Sequence, residues 1–145
     1  MNLYFAPLEG ITTYTYRSVH AEMFGKADAY FAPFITPTKA EKVGTRSFRD
    51  ILPENNRGIE LSPQLLSNDS EAFFELCQKL ADMGYGKVNL NLGCPSSTVV
   101  KKGRGAGALL DIDALDRFLE GIFKKVNQEI TIKTRTGFFD AEDFE

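Results

Sequence analysis

Cys94 stands between Gly93 and Pro95, with Asn91 three residues before it. Glycine lets the backbone turn, and proline withholds an amide and fixes φ, so this thiol sits at the mouth of a strand rather than inside one. Asn91 lies near the same strand end, where its amide reaches whatever Cys94 touches. The competing reading is a buried cysteine in a tight turn, since free cysteine is among the most buried residue types. The local residues leave both open.

The elements that must position these groups follow from patterning. Val88, Leu90 and Leu92 alternate with polar residues, as in a strand. Leu3-Tyr4-Phe5-Ala6 is a first apolar run stopped by Pro7. Thr12 or Thr13 then caps a helix carrying Tyr16, Val19, Met23 and Phe24, with Gly25 as its stop. Ala29 to Ala32 and Phe34-Ile35 make a second strand interrupted by Pro33. A polar loop with one short helix runs to about Asn56, and Ile59 to Leu66 is a third strand, weakened at Pro63.

Asn68 with Glu71 fits a capping box, and Phe73, Leu76, Cys77, Leu80 and Ala81 share one helical face. Cys77 therefore has a packing role. Gly84 and Gly86 end that helix before the strand leading to Cys94. After a loop from Ser96 to about Gly107, Asp111 or Asp113 caps a helix. Its stripe is Leu115, Phe118, Leu119, Ile122, Phe123 and Val126. Ile130 to Arg135 is a fifth strand ending at Gly137, and the acidic tail Asp140 to Glu145 begins a connection.

Strands alternating with helices imply parallel pairing through right-handed crossovers. Pro7, Gln64, Asn91 with Cys94, and Lys133 with Arg135 fall at or near the C-terminal ends of successive strands. A TIM barrel collects its active site there, whereas an open doubly wound sheet concentrates ligands at one switch point. A full barrel typically takes about 250 residues. The fold expected is therefore α/β, a partial TIM (β/α)8 barrel of about the first five βα units.

The totals narrow the function. With 145 residues, 43% of them hydrophobic, the chain can build one domain with a core. A net charge of −3 gives no global basic field for nucleic acid. Two cysteines make no disulfide framework, and the single His20 excludes a site built on several imidazoles. No metal site is expected. With no signal-peptide pattern or membrane-length apolar run, a cytoplasmic location is expected.

With these residues in view, the chain resembles the tRNA-dihydrouridine synthase family from Phe5 to about Gly137. The anchors are Ala6-Pro7-Leu8-Glu9-Gly10-Ile11-Thr12 through Arg17, then Gln64-Leu65, then Asn89 through Pro95. Val100-Lys101-Lys102-Gly103 through Leu110 and Thr131 through Gly137 complete them. Each piece is modest alone, and the order and spacing make the set specific. Leu8 stands where the family often has Met, Asn89 where Asp is common, and Ala32-Pro33 at a strand end that often carries an acid.

The resemblance implies FMN-dependent reduction of uridine to 5,6-dihydrouridine in tRNA, with NADPH as reductant. Reduced FMN delivers hydride to C6 of the uracil, and an acid protonates C5 from the other side of the ring. A thiol serves if it keeps its proton near neutral pH, which the ordinary cysteine pKa of roughly 8.5 permits. Cys94 is then the catalytic proton donor. A nucleophilic thiolate lacks a base, His20 lying in the first helix.

Pro7, Leu8, Glu9, Gln64, Asn91 and Lys133 would hold the flavin, Lys133 neutralising charge that develops near N1 and the C2 carbonyl. Asn91 would also orient the uracil. Lys101, Lys102, Arg104 and Arg135 would meet tRNA phosphates. The Gly103-Arg104-Gly105-Ala106-Gly107 stretch lacks the Gly-Lys-Ser/Thr ending of a phosphate-binding loop. It reads as a mobile loop that the family places over the active site.

On this reading, residues 1–145 are the N-terminal part of the catalytic barrel, without its C-terminal units or the helical tRNA-binding domain. Such a chain would neither hold FMN tightly nor turn over alone, and its uncovered barrel edges would invite self-association. Two rivals stand beside it. One is a flavin barrel acting on a free pyrimidine such as dihydroorotate. The other is a non-catalytic half-barrel or association module.

Overall fold

The computed structural model describes residues 1–37 and 46–144. Among these residues, six short strands carry the fold: β1 (Tyr4–Phe5), β2 (Ala29–Phe31), β3 (Leu61–Ser62), β4 (Gln64–Leu65), β5 (Lys87–Asn91) and β6 (Glu129–Lys133). All the pairings are parallel and run in chain order, β1-β2-β3 and β4-β5-β6. The third strand expected from sequence is split into β3 and β4 because Pro63 has no amide to give a ladder. Its carbonyl instead accepts from Asn89 N at 2.9 Å.

The same kinked segment joins the two sheets. Ile35 bridges to Leu65, donating to Gln64 O at 2.8 Å and accepting from Leu66 N at 2.9 Å. Among the described residues the strand order does not reverse as it does at the switch point of a doubly wound sheet.

Helices fill the crossovers: α1 (Tyr14–Phe24), α2 (Arg46–Asp50), α3 (Ser70–Asp82), α4 (Ser97–Val100) and α5 (Ile112–Lys125). Among the described residues, no helix is long and apolar enough to cross a membrane. Of the loop expected up to Asn56, residues 38–45 lie outside the described residues, and α2 is its short helix. Val88 and Leu90 of β5 bury against Phe73 and Leu80 of α3 and Phe118 and Ile122 of α5, so the core lies between sheet and helices. Cys77 belongs to this core at 1% exposure, and burial pushes its thiol up to about 12. It is inert packing, as its helical spacing indicates.

Several local expectations need correction. The cap of α3 is Asp69, whose carboxylate accepts from Glu71 N at 3.0 Å and Ala72 N at 3.1 Å. The helix therefore starts one residue later than a box built on Asn68 would require. Asp111, rather than Asp113, caps α5 through Ala114 N. Ala81 and Phe123 lie on exposed rather than buried faces, at the borders of their stripes. The stretch from Ser96 to Gly107 is built structure, with α4 followed by a 3-10 segment from Gly105 to Leu110.

The largest correction concerns α1. Its apolar residues Tyr16, Val19, Met23 and Phe24 are exposed, and the one residue it buries fully is Arg17. Arg17 donates from Nη1 to Thr12 O at 2.7 Å and to Asp50 Oδ2 at 3.0 Å. From Nη2 it donates to Asp50 O at 2.7 Å and to Asn56 Oδ1 at 2.9 Å. Neither Thr12 nor Thr13 caps α1 with its side chain. Asp50 does so from another element, its Oδ1 accepting from Tyr14 N at 2.6 Å.

Thr12 closes the β1 turn instead, its Oγ1 accepting from Leu8 N at 2.8 Å and donating to Leu8 O at 3.2 Å. The ion pair thus fixes the turn that carries Pro7 and Leu8. Removing one partner of a buried pair strands the other, so Arg17→Met is expected to destabilise the protein by about 3–5 kcal/mol. Denaturant unfolding of the variant beside wild type measures it, and a loss within ordinary surface-mutation scatter would contradict the role given to the pair.

Candidate active site

Alternation along the strands divides the residues between two faces. Val88, Leu90 and Leu65 go to the helices, and Gln64, Asn89 and Asn91 go to the other side. These three amides are buried at 0%, 2% and 3% exposure, so each must find partners within the protein. Gln64 Nε2 donates to Asn89 Oδ1 at 2.6 Å, and Asn91 Nδ2 donates to Gln64 Oε1 at 2.7 Å. Asn89 Nδ2 donates to Thr131 Oγ1 at 2.9 Å, and that hydroxyl donates to Val88 O at 3.3 Å. A chain of side-chain hydrogen bonds thereby crosses β4, β5 and β6.

The upper end of this chain holds the cysteine turn. Asn91 Oδ1 accepts from Gly93 N at 3.0 Å and from Cys94 N at 2.9 Å. Leu92 N donates to Lys133 O at 2.9 Å, tying the turn to β6, and Ala106 N donates to Cys94 O at 3.0 Å. Cys94 is partly exposed above these contacts. Its environment is unlike that of Cys77.

A cleft of about 230 Å³ opens here, and most of the sequence-predicted residues line it. Pro7, Leu8 and Glu9 come from the β1 turn, Gln64 from β4, Asn91 and Cys94 from the end of β5, and Lys133 from β6. Pro33 and Phe34, which sequence reasoning did not assign, add apolar wall after β2. A neighbouring cleft of about 180 Å³ shares Glu9, Pro33 and Phe34. Taken side by side, the two fall within the roughly 300–1,000 Å³ usual for small-molecule sites.

The amides have limited capacity left. Both lone pairs of Asn91 Oδ1 are taken by the turn, so Asn91 can offer a ligand one N–H. Gln64 retains one N–H and one lone pair beyond its bonds to Asn89 and Asn91. Lys133 makes no ion pair among the described residues. A Cβ placed on Gly93 would come within 3.3 Å of Lys133 Nζ, so the ammonium sits close over the cysteine turn. Apolar wall on one side, with N–H groups and an ammonium on the other, suits a flat ring with a polar, hydrogen-bond-accepting edge.

The other basic residues expected at the site do not line the cleft. β6 ends at Lys133, so strand alternation does not carry Arg135 to the side of Lys133, and Arg135 is exposed. Lys101 and Lys102 are exposed at the end of α4. Arg104 Nε donates to Asn68 Oδ1 at 3.0 Å, while Asn68 Nδ2 donates to Lys102 O at 2.9 Å. Asn68 therefore anchors the loop rather than capping α3. Sequence reasoning also missed Asn89 and Thr131 as members of the site, although period-2 spacing from Asn91 and Lys133 points to both.

Residues 4–145 match the family model described as "Dihydrouridine synthase (Dus)". Over 140 residues, covering 96% of this chain, the sequence is 29% identical to a protein of Staphylococcus epidermidis named "Probable tRNA-dihydrouridine synthase". A protein of the same name from Staphylococcus aureus is also 29% identical over 140 residues. "Probable tRNA-dihydrouridine synthase 1" of Synechocystis sp. is 26% identical over 137 residues, or 94% of this chain. The chain spans 42% of the length of the staphylococcal relatives and 38% of the cyanobacterial one.

The geometry makes Asn91 the support of the thiol. Asn91→Ala leaves the Gly93 and Cys94 amides without their acceptor, at an expected cost of roughly 1–3 kcal/mol. Thermal unfolding measures that loss. Alkylation of Cys94 by iodoacetamide under native conditions should change with it, and unchanged stability together with an unchanged rate would refute the assignment.

Proposed function

The chain belongs to the dihydrouridine synthase family, and from that premise we propose that it forms part of an enzyme reducing a tRNA uridine to 5,6-dihydrouridine with FMN and NADPH. The observation that carries this reading is the single cleft gathering Pro7, Leu8, Gln64, Asn91, Cys94 and Lys133 from separate strand ends. We read the sequential parallel strands as an arc of about five βα units of a (β/α)8 barrel, whose active sites form at that end of the strands. The apolar rim of α1, with Met23 and Phe24 exposed, suits burial against a further part of such a barrel. Left uncovered, it favours self-association.

The residues fit FMN. Pro7 and Leu8 offer main chain and apolar surface, Gln64 and Asn91 their remaining N–H groups, and Lys133 a cation. Bound there and reduced by NADPH, FMN would supply a hydride for the uracil C6. Cys94 supplies the proton: its S–H bond breaks as a C–H bond forms at C5, and the resulting thiolate regains a proton from solvent. Hydride and proton together saturate the C5–C6 bond, so the atoms and electrons balance. Lys133 offsets the negative charge of the reduced ring.

Gln64 and Asn91 orient the rings, while Asn91 also holds the donor in place through the turn. Lys101, Lys102 and Arg135, exposed outside the cleft, suit phosphates of a tRNA too large to enter it. With tRNA as substrate, the cytoplasm is the proposed setting.

Two variants of the complete enzyme test this. Cys94→Ala should keep flavin reduction by NADPH and lower dihydrouridine formation by about 10²–10⁴-fold, the usual contribution of a general acid. Normal dihydrouridine formation by that variant would remove Cys94 from the mechanism. Lys133→Met should weaken FMN binding or slow its reduction, read by flavin fluorescence titration and stopped-flow absorbance. A variant with wild-type affinity and rate would take Lys133 out of the flavin site.

A further inference from the structure

We propose that Gly105 is a positioning residue for the Cys94 thiol, and that the absence of a side chain at 105 is what allows the thiol its place at the cleft. This inference rests on the catalytic reading of Cys94 given above. The loop containing Gly105 lies outside the cleft lining, yet it touches the cysteine from behind. Ala106 N donates to Cys94 O at 3.0 Å. Asn91 holds the amide side of Cys94 at 2.9 Å, so the residue is clamped at both its N–H and its carbonyl.

Gly105 is fully enclosed at that contact. A Cβ at 105 would lie 2.7 Å from Cys94 O, 2.8 Å from Val99 Cγ1 and 3.0 Å from Cys94 Cβ. Two of those neighbours belong to the cysteine itself, and one of them is the carbon that bears the sulfur. The two contacts with Cys94 are relieved only by separating residue 105 from the cysteine, which also pulls on the Ala106 N–Cys94 O bond. A displacement of about 1 Å in a reacting group can cost roughly 10²-fold in rate.

Gly105 also has φ +54°, so any substitution there carries left-handed strain as well as the collision. Gly103 separates the two effects. It lies in the same loop at φ +63°, but the nearest neighbour of a Cβ there is Asn68 Nδ2 at 3.4 Å, an ordinary contact remote from the cysteine. Alanine at either position meets the backbone strain. Only alanine at 105 meets Cys94.

The experiment compares Gly105→Ala with Gly103→Ala in the complete enzyme. Native alkylation by iodoacetamide, read on the Cys94 peptide by mass spectrometry, reports the placement of Cys94 without any turnover, and Cys77 on the same chain is 1% exposed. Gly105→Ala is expected to change that alkylation rate several-fold. It should also lower dihydrouridine formation by about 10²-fold while flavin reduction by NADPH stays at the wild-type rate. Gly103→Ala should leave all three readouts near wild type.

Equal losses in the two variants would assign the effect to backbone strain and overturn the proposal. Unchanged alkylation and unchanged tRNA reduction in Gly105→Ala would overturn it as well. If Cys94→Ala keeps dihydrouridine formation, the catalytic reading fails, while the alkylation arm still decides whether Gly105 places the thiol. Should Gly105→Ala not fold, hydrogen exchange in the wild-type protein decides. A protected Ala106 amide supports the clamp on Cys94, and an amide exchanging as fast as open loop refutes it.

Discussion

Amide groups buried on a sheet face set a condition that much of this structure obeys. Gln64, Asn89 and Asn91 all lie within 3% of full burial, on the side of the strands away from the helices. An unpaired amide there would cost about 1–3 kcal/mol, so the three must satisfy one another. They do so only if β4, β5 and β6 keep one register, with Gln64 opposite Asn89 and Asn91 opposite Lys133. A slip of one residue would send the amides into the apolar core and Val88 and Leu90 out of it. The polar chain is therefore a register lock, and its free end is the acceptor that shapes the cysteine turn.

The same economy explains the difference between the two thiols. Cys77 is surrounded by core and held neutral by desolvation. Cys94 has both backbone groups engaged while its side chain remains partly exposed at the cleft. Rigidity of backbone with access to solvent suits the role proposed for Cys94, since a proton donor must be aimed and then recharged. On the other side of the cleft the Arg17–Asp50 pair does comparable work for the β1 turn. It acts at one remove, through Thr12.

Cations divide between two tasks. Lys133 reaches the cleft from a strand end, where its position is set by ladder bonds. Arg104 lies nearby in sequence to two exposed lysines, but its guanidinium is partly used to fasten the loop to Asn68. That fastening, with the close approach of Gly105 to Cys94, makes the stretch after α4 part of the site's framework. A cluster of charges in the sequence thus resolves into one structural arginine and two exposed lysines.

Period and punctuation in the sequence determined the main strands and helices, the parallel α/β class and the grouping of Pro7, Gln64, Asn91, Cys94 and Lys133 at strand ends. Those features are local: alternation, a helical stripe and a Gly-Cys-Pro stop are written in neighbouring residues. Tertiary structure decided what depends on distant partners. It turned Asn68 from cap to loop anchor, gave the cap of α1 to Asp50, and made Arg17 rather than the apolar stripe the buried residue of that helix. It also brought Asn89 and Thr131 into the site and set Gly105 against Cys94. Spacing puts Asn89 and Thr131 on the right face, but hydrogen bonds and close contacts across tens of residues satisfy buried groups by whatever partner the fold delivers, and the chain carries no record of which partner that is.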